Sequence, residues 1–136
     1  MTLREQLQRD ENCRLRVYDD SQGVPTIGWG RNLRDKGVSQ QEADTMFDRD
    51  ILDATTDVLL HFKWATGLDD VRRGVLINMA YNLGIHGLLQ FKKMLAAVES
   101  GQWDRAAKEM LDSKWARQVG VRAERLAEQM RLGEWR

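Results

Sequence analysis

Three side chains near the start of the chain have the types and spacing to do chemistry together: Glu11, Asp20 and Thr26. Two carboxyls in unlike environments are the usual equipment of glycoside hydrolysis. One can stay protonated as a general acid while the other stays ionised beside a water. Glu11 follows Leu3 and Leu7 at steps of four, so it extends an apolar helical stripe at its C-terminal end. Apolar neighbours and the negative end of the helix dipole both disfavour a carboxylate there and are expected to raise its pKa. Asp20 lies in Asp19-Asp20-Ser21-Gln22-Gly23, a run of turn-forming residues where polar neighbours keep an acid ionised. Thr26 follows on the returning segment, where its hydroxyl can hold a water beside Asp20. Spacing alone does not single out this trio, because acids that end helices are common and turn aspartates commoner still.

The elements that must position these residues are legible from capping and periodicity. Thr2-Leu3-Arg4-Glu5 has the spacing of a capping box and starts a helix near residue 3. Arg14 to Tyr18 alternates charged and apolar residues like a half-buried strand. Val24 to Trp29 is β-favouring and returns as a second strand, with Pro25, the only proline, expected on a sheet edge. A short third strand is expected near Arg31 to Arg34. Ser39 to Glu42 offers a second capping box, and Ala43, Met46, Phe47, Ile51, Ala54, Val58 and Leu59 continue at helical period, predicting a helix over about 40–60. Helices are then expected over Leu68–Leu83, Leu88–Glu99, Trp103–Leu111 and Val121–Leu132, with Gly84, Gly101 and Gly133 as stops. The fold class is α+β: a small β-hairpin lobe joined by a long helix to an all-helical lobe. Residues 1–136 are expected to form one domain, with an N-terminal lobe of about 12–60 and a helical lobe of about 61–136 plus the first helix.

Composition excludes several classes. At 136 residues, 42% hydrophobic and 31% charged, the chain can bury a core without disulfides and does not read as disordered. Net charge is zero, so no global attraction to nucleic acid is evident. The first 60 residues carry 8 basic and 12 acidic side chains and the remainder 13 and 9. The acidic half is therefore the one that holds the candidate carboxylates. A single cysteine, Cys13, rules out an internal disulfide and reads as a small buried hydrophobe. The N-terminus lacks the apolar core of a secretory signal, and no apolar run approaches a membrane span, so synthesis in the cytoplasm without membrane insertion is expected. His61 and His86 have no partners at metal-ligand spacing, and no metal or cofactor is expected. Lys92-Lys93 and Arg72-Arg73 read as solvated helix faces, while Trp103, Trp115 and Trp135 read as packing residues of the helical lobe.

Glu11, Leu15, Tyr18, Asp20, Gly23 and Thr26-Ile27-Gly28-x-Gly30 match, position by position, the pattern of the phage-type lysozymes, or endolysins. The likeness continues through Asp69 to Gly84, Phe91, Trp103-Asp104-x-Ala106-Ala107, Ser113-Lys114-Trp115, Arg122-Ala123-x-Arg125 and Gly133-Glu134-Trp135, with a shortened stretch before Ser39. It covers nearly the whole chain and is nearest the T-even branch of that family. The resemblance implies a two-lobed lysozyme-like fold. It implies a muramidase that hydrolyses the β-1,4 bond between N-acetylmuramic acid and N-acetylglucosamine in peptidoglycan, for host cell lysis. Glu11 would then be the general acid, and Asp20 with Thr26 would position the attacking water. Tyr81, Asn82 and Arg122 would contact substrate, Arg122 being the family arginine that approaches the catalytic acid and opposes a rise in its pKa. The partners implied are peptidoglycan glycan strands, with no nucleic acid and a monomeric enzyme. It would accumulate in the host cytoplasm and act on the wall, in the periplasm, once the inner membrane is permeabilised. A lytic transglycosylase, which needs no water-activating acid, and a catalytically silent wall-binding module are both disfavoured by the intact trio.

The departures are specific. Asn12 stands where the family has Gly, and Arg31 where it has His. The resemblance implies that Arg31 pairs with Asp50, which aligns with the family His's acidic partner, an ion pair that does not titrate near neutral pH. Met94 and Glu109 replace smaller polar residues at substrate-lining positions. Replacing Glu11 by Gln is expected to raise stability, if the acid is buried.

Overall fold

A computed structural model describes residues 1–136. The elements run α1 (Leu3–Glu11), β1 (Arg14–Asp19), β2 (Pro25–Gly28), β3 (Arg31–Asn32), α2 (Gln40–His61), a 3-10 turn (Lys63–Gly67), α3 (Asp70–Leu89), α4 (Lys92–Glu99), α5 (Trp103–Leu111), α6 (Lys114–Val119) and α7 (Val121–Leu132). This is the α+β class read from the sequence: seven helices and one antiparallel sheet in the order β1-β2-β3. The chain divides into two compact units, Met1–Met46 and Phe47–Arg136, so α2 begins in the first and continues in the second.

The first unit is organised by hydrogen bonds more than by apolar burial. Thr2 caps α1 through a complete capping box with Glu5. Ser39 does the same for α2: its Oγ accepts the Glu42 N–H at 3.1 Å while Glu42 Oε1 accepts the Ser39 N–H at 2.9 Å. Between these helices the sheet pairs Tyr18 with Thr26, and Thr26 with Asn32. β2 is therefore the central strand, which corrects the edge expected for Pro25. Proline is tolerated there because it is the first residue of the strand, where the missing N–H costs no ladder bond, while its carbonyl accepts the Leu33 N–H at 2.9 Å. Thr26 is the only residue of the first unit that is fully buried. Leu3, Leu7, Leu15 and Val17 are all exposed, and so is Cys13, which was expected to be buried.

Two local features of this unit differ from the sequence reading in their energetics. Asn12, at the C-cap of α1, has φ 57 and ψ 155, a region adopted almost only by glycine. Arg31 pairs with Glu42 rather than with Asp50: its Nη1 donates to Glu42 Oε1 at 2.9 Å and to the Gly37 carbonyl at 3.2 Å. The reason is local. The second capping box already turns the Glu42 carboxylate back toward the N-terminus of α2, where the short β3–α2 connection delivers Arg31. Hydrogen bonds from the Ser39 backbone, the Arg31 guanidinium and the Ser39 side chain hold the Glu42 carboxyl down to about 2, from an ordinary 4.5.

The second unit has an apolar core. Val58, Val75, Leu76, Met79, Leu88, Met94, Met110 and Met130 are fully enclosed, a methionine-rich set whose flexible thioethers fill irregular space between short helices. Gly84 interrupts α3 at φ 76 and ψ 161, so the expected stop is a kink that the helix passes before ending at Leu89. The 3-10 turn and α6 are elements that periodicity missed, because each spans under two α-helical turns. α4 begins at Lys92 rather than Leu88. Arg72 and Arg73 are clamps rather than solvated charges. Arg72 donates to the Met130 and Arg131 carbonyls at 2.7 and 3.1 Å and lies 4.2 Å over the Trp103 ring. Arg73 donates to the Leu68 and Ala65 carbonyls at 2.7 and 3.2 Å. Each guanidinium thus satisfies carbonyls that the end of α7 or the turn before α3 leaves open. Trp115 is buried and Trp103 half-buried, whereas Trp135 is exposed and lays its ring edge over Gly74.

Two measurements test these assignments. Asn12→Gly should stabilise the protein by about 1 kcal/mol, since relief of about 1–3 kcal/mol of backbone strain exceeds the extra unfolded-state entropy of glycine. An unchanged or lowered denaturation midpoint would show that Asn12 is not strained. The depressed Glu42 carboxyl contributes stability that is fully present above its ordinary pKa and is lost as pH falls from 4.5 toward 2. The melting-temperature advantage of wild type over Glu42→Gln should therefore be constant from pH 6 to 8 and shrink below about pH 4.5. A difference that stays flat down to pH 2 would contradict the assignment.

Candidate active site

Glu11 is the last residue of α1, and the chain leaves the helix abruptly. The Asn12 N–H still donates to the Gln8 carbonyl at 3.2 Å, and the positive φ then turns the backbone into β1. Because Arg14 pairs with Gly28, the helix end is carried alongside the Gly28-Trp29-Gly30 turn. The Glu11 carboxylate rests directly against Gly30. Glu11 is exposed, and so are Leu3 and Leu7, which corrects the apolar stripe inferred from their spacing. The repeat of four puts these side chains on one side of α1 but does not bury them. Burial therefore supplies no reason for the acid to be protonated, nor for Glu11→Gln to stabilise the fold.

Asp20 and Thr26 are brought together by one carbonyl. The Val24 carbonyl accepts the Asp20 N–H at 2.9 Å and the Thr26 hydroxyl at 2.8 Å. The Asp20 Oδ1 accepts the Gln22 and Val24 N–H groups at 2.8 and 2.9 Å, so the carboxylate is pinned by its own turn. Its second oxygen makes no hydrogen bond to the protein, and the residue is exposed. Thr26 is buried in the central strand opposite Tyr18. Its hydroxyl proton is committed to Val24, so toward any further partner it can only accept. Arg14 stacks on the Tyr18 ring at 4.2 Å on the same strand. The sequence named Asp20 and Thr26 as candidates but not the Val24 carbonyl, because a backbone acceptor leaves no trace in residue type.

The residues expected to contact substrate lie in the second unit. A groove of about 720 Å³ is lined by Phe47, Ile51, Ile77, Asn78, Tyr81 and Arg122 among others. Tyr81 packs edge-to-face on Phe47, with ring centroids 6.0 Å apart, and remains partly exposed. Arg122 is held by Asn78, whose Oδ1 accepts from Nε at 3.1 Å and Nη2 at 2.7 Å. Asn78 was not singled out from the sequence, where it sits inside the apolar run Val75 to Tyr81. Asn82 lies outside this groove. Its amide oxygen accepts the Trp115 indole N–H at 2.8 Å, which orients the amide and leaves its NH₂ group without a protein partner. Met94, noted for its position, is a core residue.

Comparison with known proteins bears on all of this. Residues 8–131 match the phage lysozyme family. The chain is 34% identical, over an alignment 154 positions long including gaps, to the pre-baseplate central spike protein Gp5 of Enterobacteria phage T4. That match takes in 93% of this chain but only 27% of the spike protein, so the chain spans about a quarter of that relative. It is 27% identical to probable T4-type lysozyme 1 of Dictyostelium discoideum, covering 97% of this chain and 95% of the relative. Probable T4-type lysozyme 2 of the same organism is also 27% identical, covering 92% of the chain and 91% of the relative. The match runs from within α1 into the last turn of α7 and includes every residue of the candidate site, so the chain belongs to the phage lysozyme family and is a glycoside hydrolase of the lysozyme class.

Proposed function

We propose that this lysozyme hydrolyses the β-1,4 bond between N-acetylmuramic acid and N-acetylglucosamine in peptidoglycan. Glu11 acts as general acid toward the glycosidic oxygen, and a water held by Asp20 and Thr26 acts as nucleophile. The observation that carries the reading is the shared Val24 carbonyl. It spends the Thr26 hydroxyl proton, so a water between Thr26 and Asp20 donates one hydrogen to each. Its lone pair is left free to attack the anomeric carbon. As the bond to the leaving oxygen breaks, Glu11 delivers its proton there, and Asp20 takes up the proton that the water loses. Attack from the face opposite the leaving group gives inversion, which calls for carboxyls roughly 6.5–9.5 Å apart.

Support for peptidoglycan as substrate comes from the family and from the lysozyme relatives. Tyr81 would pack on a sugar ring, and Arg122, steadied by Asn78, would meet an anionic or hydroxyl-rich part of the strand, with the NH₂ of Asn82 as a further donor. In this reading the protein is a monomeric endolysin. It accumulates in the host cytoplasm and reaches the wall after the inner membrane is permeabilised.

Glu11→Gln and Asp20→Asn should each lower the rate of wall clearing by about 10²–10⁴-fold. Since Glu11 is exposed, Glu11→Gln should change stability by less than about 0.5 kcal/mol. Clearing of permeabilised Gram-negative cells by Glu11→Gln at near wild-type rate would remove Glu11 as the acid. NMR of the first-formed reducing ends should show the α-anomer; a β-anomer would refute inversion, and anhydromuramic ends would refute hydrolysis.

A further inference from the structure

We propose that Gly30 is a positioning residue for the acid. Its missing side chain is the seat on which the Glu11 carboxylate rests. The inference builds on the reading of Glu11 as general acid.

The Gly28-Trp29-Gly30 turn holds two glycines at positive φ, 67 for Gly28 and 76 for Gly30. Both positions are strained for any residue with a Cβ. Their surroundings differ. A Cβ on Gly28 would meet nothing within 4 Å. A Cβ on Gly30 would lie 2.9 Å from the Glu11 carboxyl carbon and closer still to its Oε2. Conformation alone therefore explains glycine at 28. At 30 conformation and contact both require it.

The atom that a new Cβ would strike is the far end of a flexible side chain. The collision is relieved by the Glu11 carboxyl swinging away, at little cost to the fold. The expected result is a protein about as stable as one altered at Gly28, with its acid displaced. α1 is followed directly by the sharp exit at Asn12, so the positive-φ positions 12 and 30 both bear on the placement of the same carboxyl.

The test compares Gly30→Ala with Gly28→Ala in the full chain. Both should lose similar melting temperature, since both carry the same kind of backbone strain. Gly28→Ala should keep kcat within about threefold of wild type, whereas Gly30→Ala should lose about 10²-fold in kcat with KM within about twofold. Carbon-13 NMR titration of the Glu11 carboxyl gives a readout that does not depend on activity. Its chemical shift should move in Gly30→Ala and stay put in Gly28→Ala. Should Gly30→Ala fold poorly, Gly30→Asn introduces the same Cβ with a residue that tolerates positive φ. Equal activity losses in the two alanine variants, or an unmoved Glu11 resonance in Gly30→Ala, would overturn the proposal. An active Glu11→Gln would instead remove the acid assignment, and the resonance would still report whether Gly30 seats the carboxyl.

Discussion

The candidate site depends on a sharp change of direction at Asn12. An α-helix projects its side chains sideways, tilted back toward its N-terminus, so a strand that continued in line would take the hairpin away from Glu11. The positive φ and extended ψ at Asn12 bend the chain so that β1 runs alongside β2 and the helix end comes to the Gly28–Gly30 turn. A residue with a Cβ holds this conformation only because its neighbours impose it. The hydrogen bond back to Gln8 on one side and the β1–β2 pairing on the other are those neighbours. Strain at position 12 is thus a consequence of bringing an acid from a helix to a turn built by a different element.

The two units solve the problem of order differently. In the second, an enclosed set of valines, leucines and methionines supplies the stabilisation, and the arginines finish helix ends that the core leaves open. In the first, no apolar side chain is fully buried. Order there comes from two capping boxes, the Asp20 turn, the Arg31–Glu42 pair and a three-stranded ladder. Hydrogen bonds are directional, whereas apolar packing is not. A unit held by them can place a carboxylate and a hydroxyl accurately with little core beneath. Thr26 marks the meeting of the two strategies: it is enclosed like a core residue, but its hydroxyl is satisfied by the carbonyl that also anchors Asp20.

Much of this was legible in the residues themselves. Both capping boxes, the hairpin, the long helix and the glycine stop at Gly133 follow from spacing and local chemistry, because each is decided within a few residues of itself. The family followed from the order of matches between Glu11 and Trp135. Where pattern failed, the outcome was decided by partners distant in sequence or by carbonyls. Leu3, Leu7 and Cys13 have the residue types of buried positions but are exposed, and Arg72 and Arg73 look solvated yet are tied to backbone oxygens up to 59 residues away.

The sequence by itself determined which residue types were available for chemistry and where the two capped helices, α1 and α2, start. A cap, a turn or a helical period is a short-range property of the chain. Only the tertiary structure decided that Arg31 meets Glu42, that Asn82 spends its oxygen on Trp115, that Arg122 leans on Asn78 and that Glu11 lies on Gly30. These depend on which surfaces pairing and packing bring into contact. Neither the backbone carbonyl that orients Thr26 nor the empty space at a glycine is recorded in the identity of any single residue.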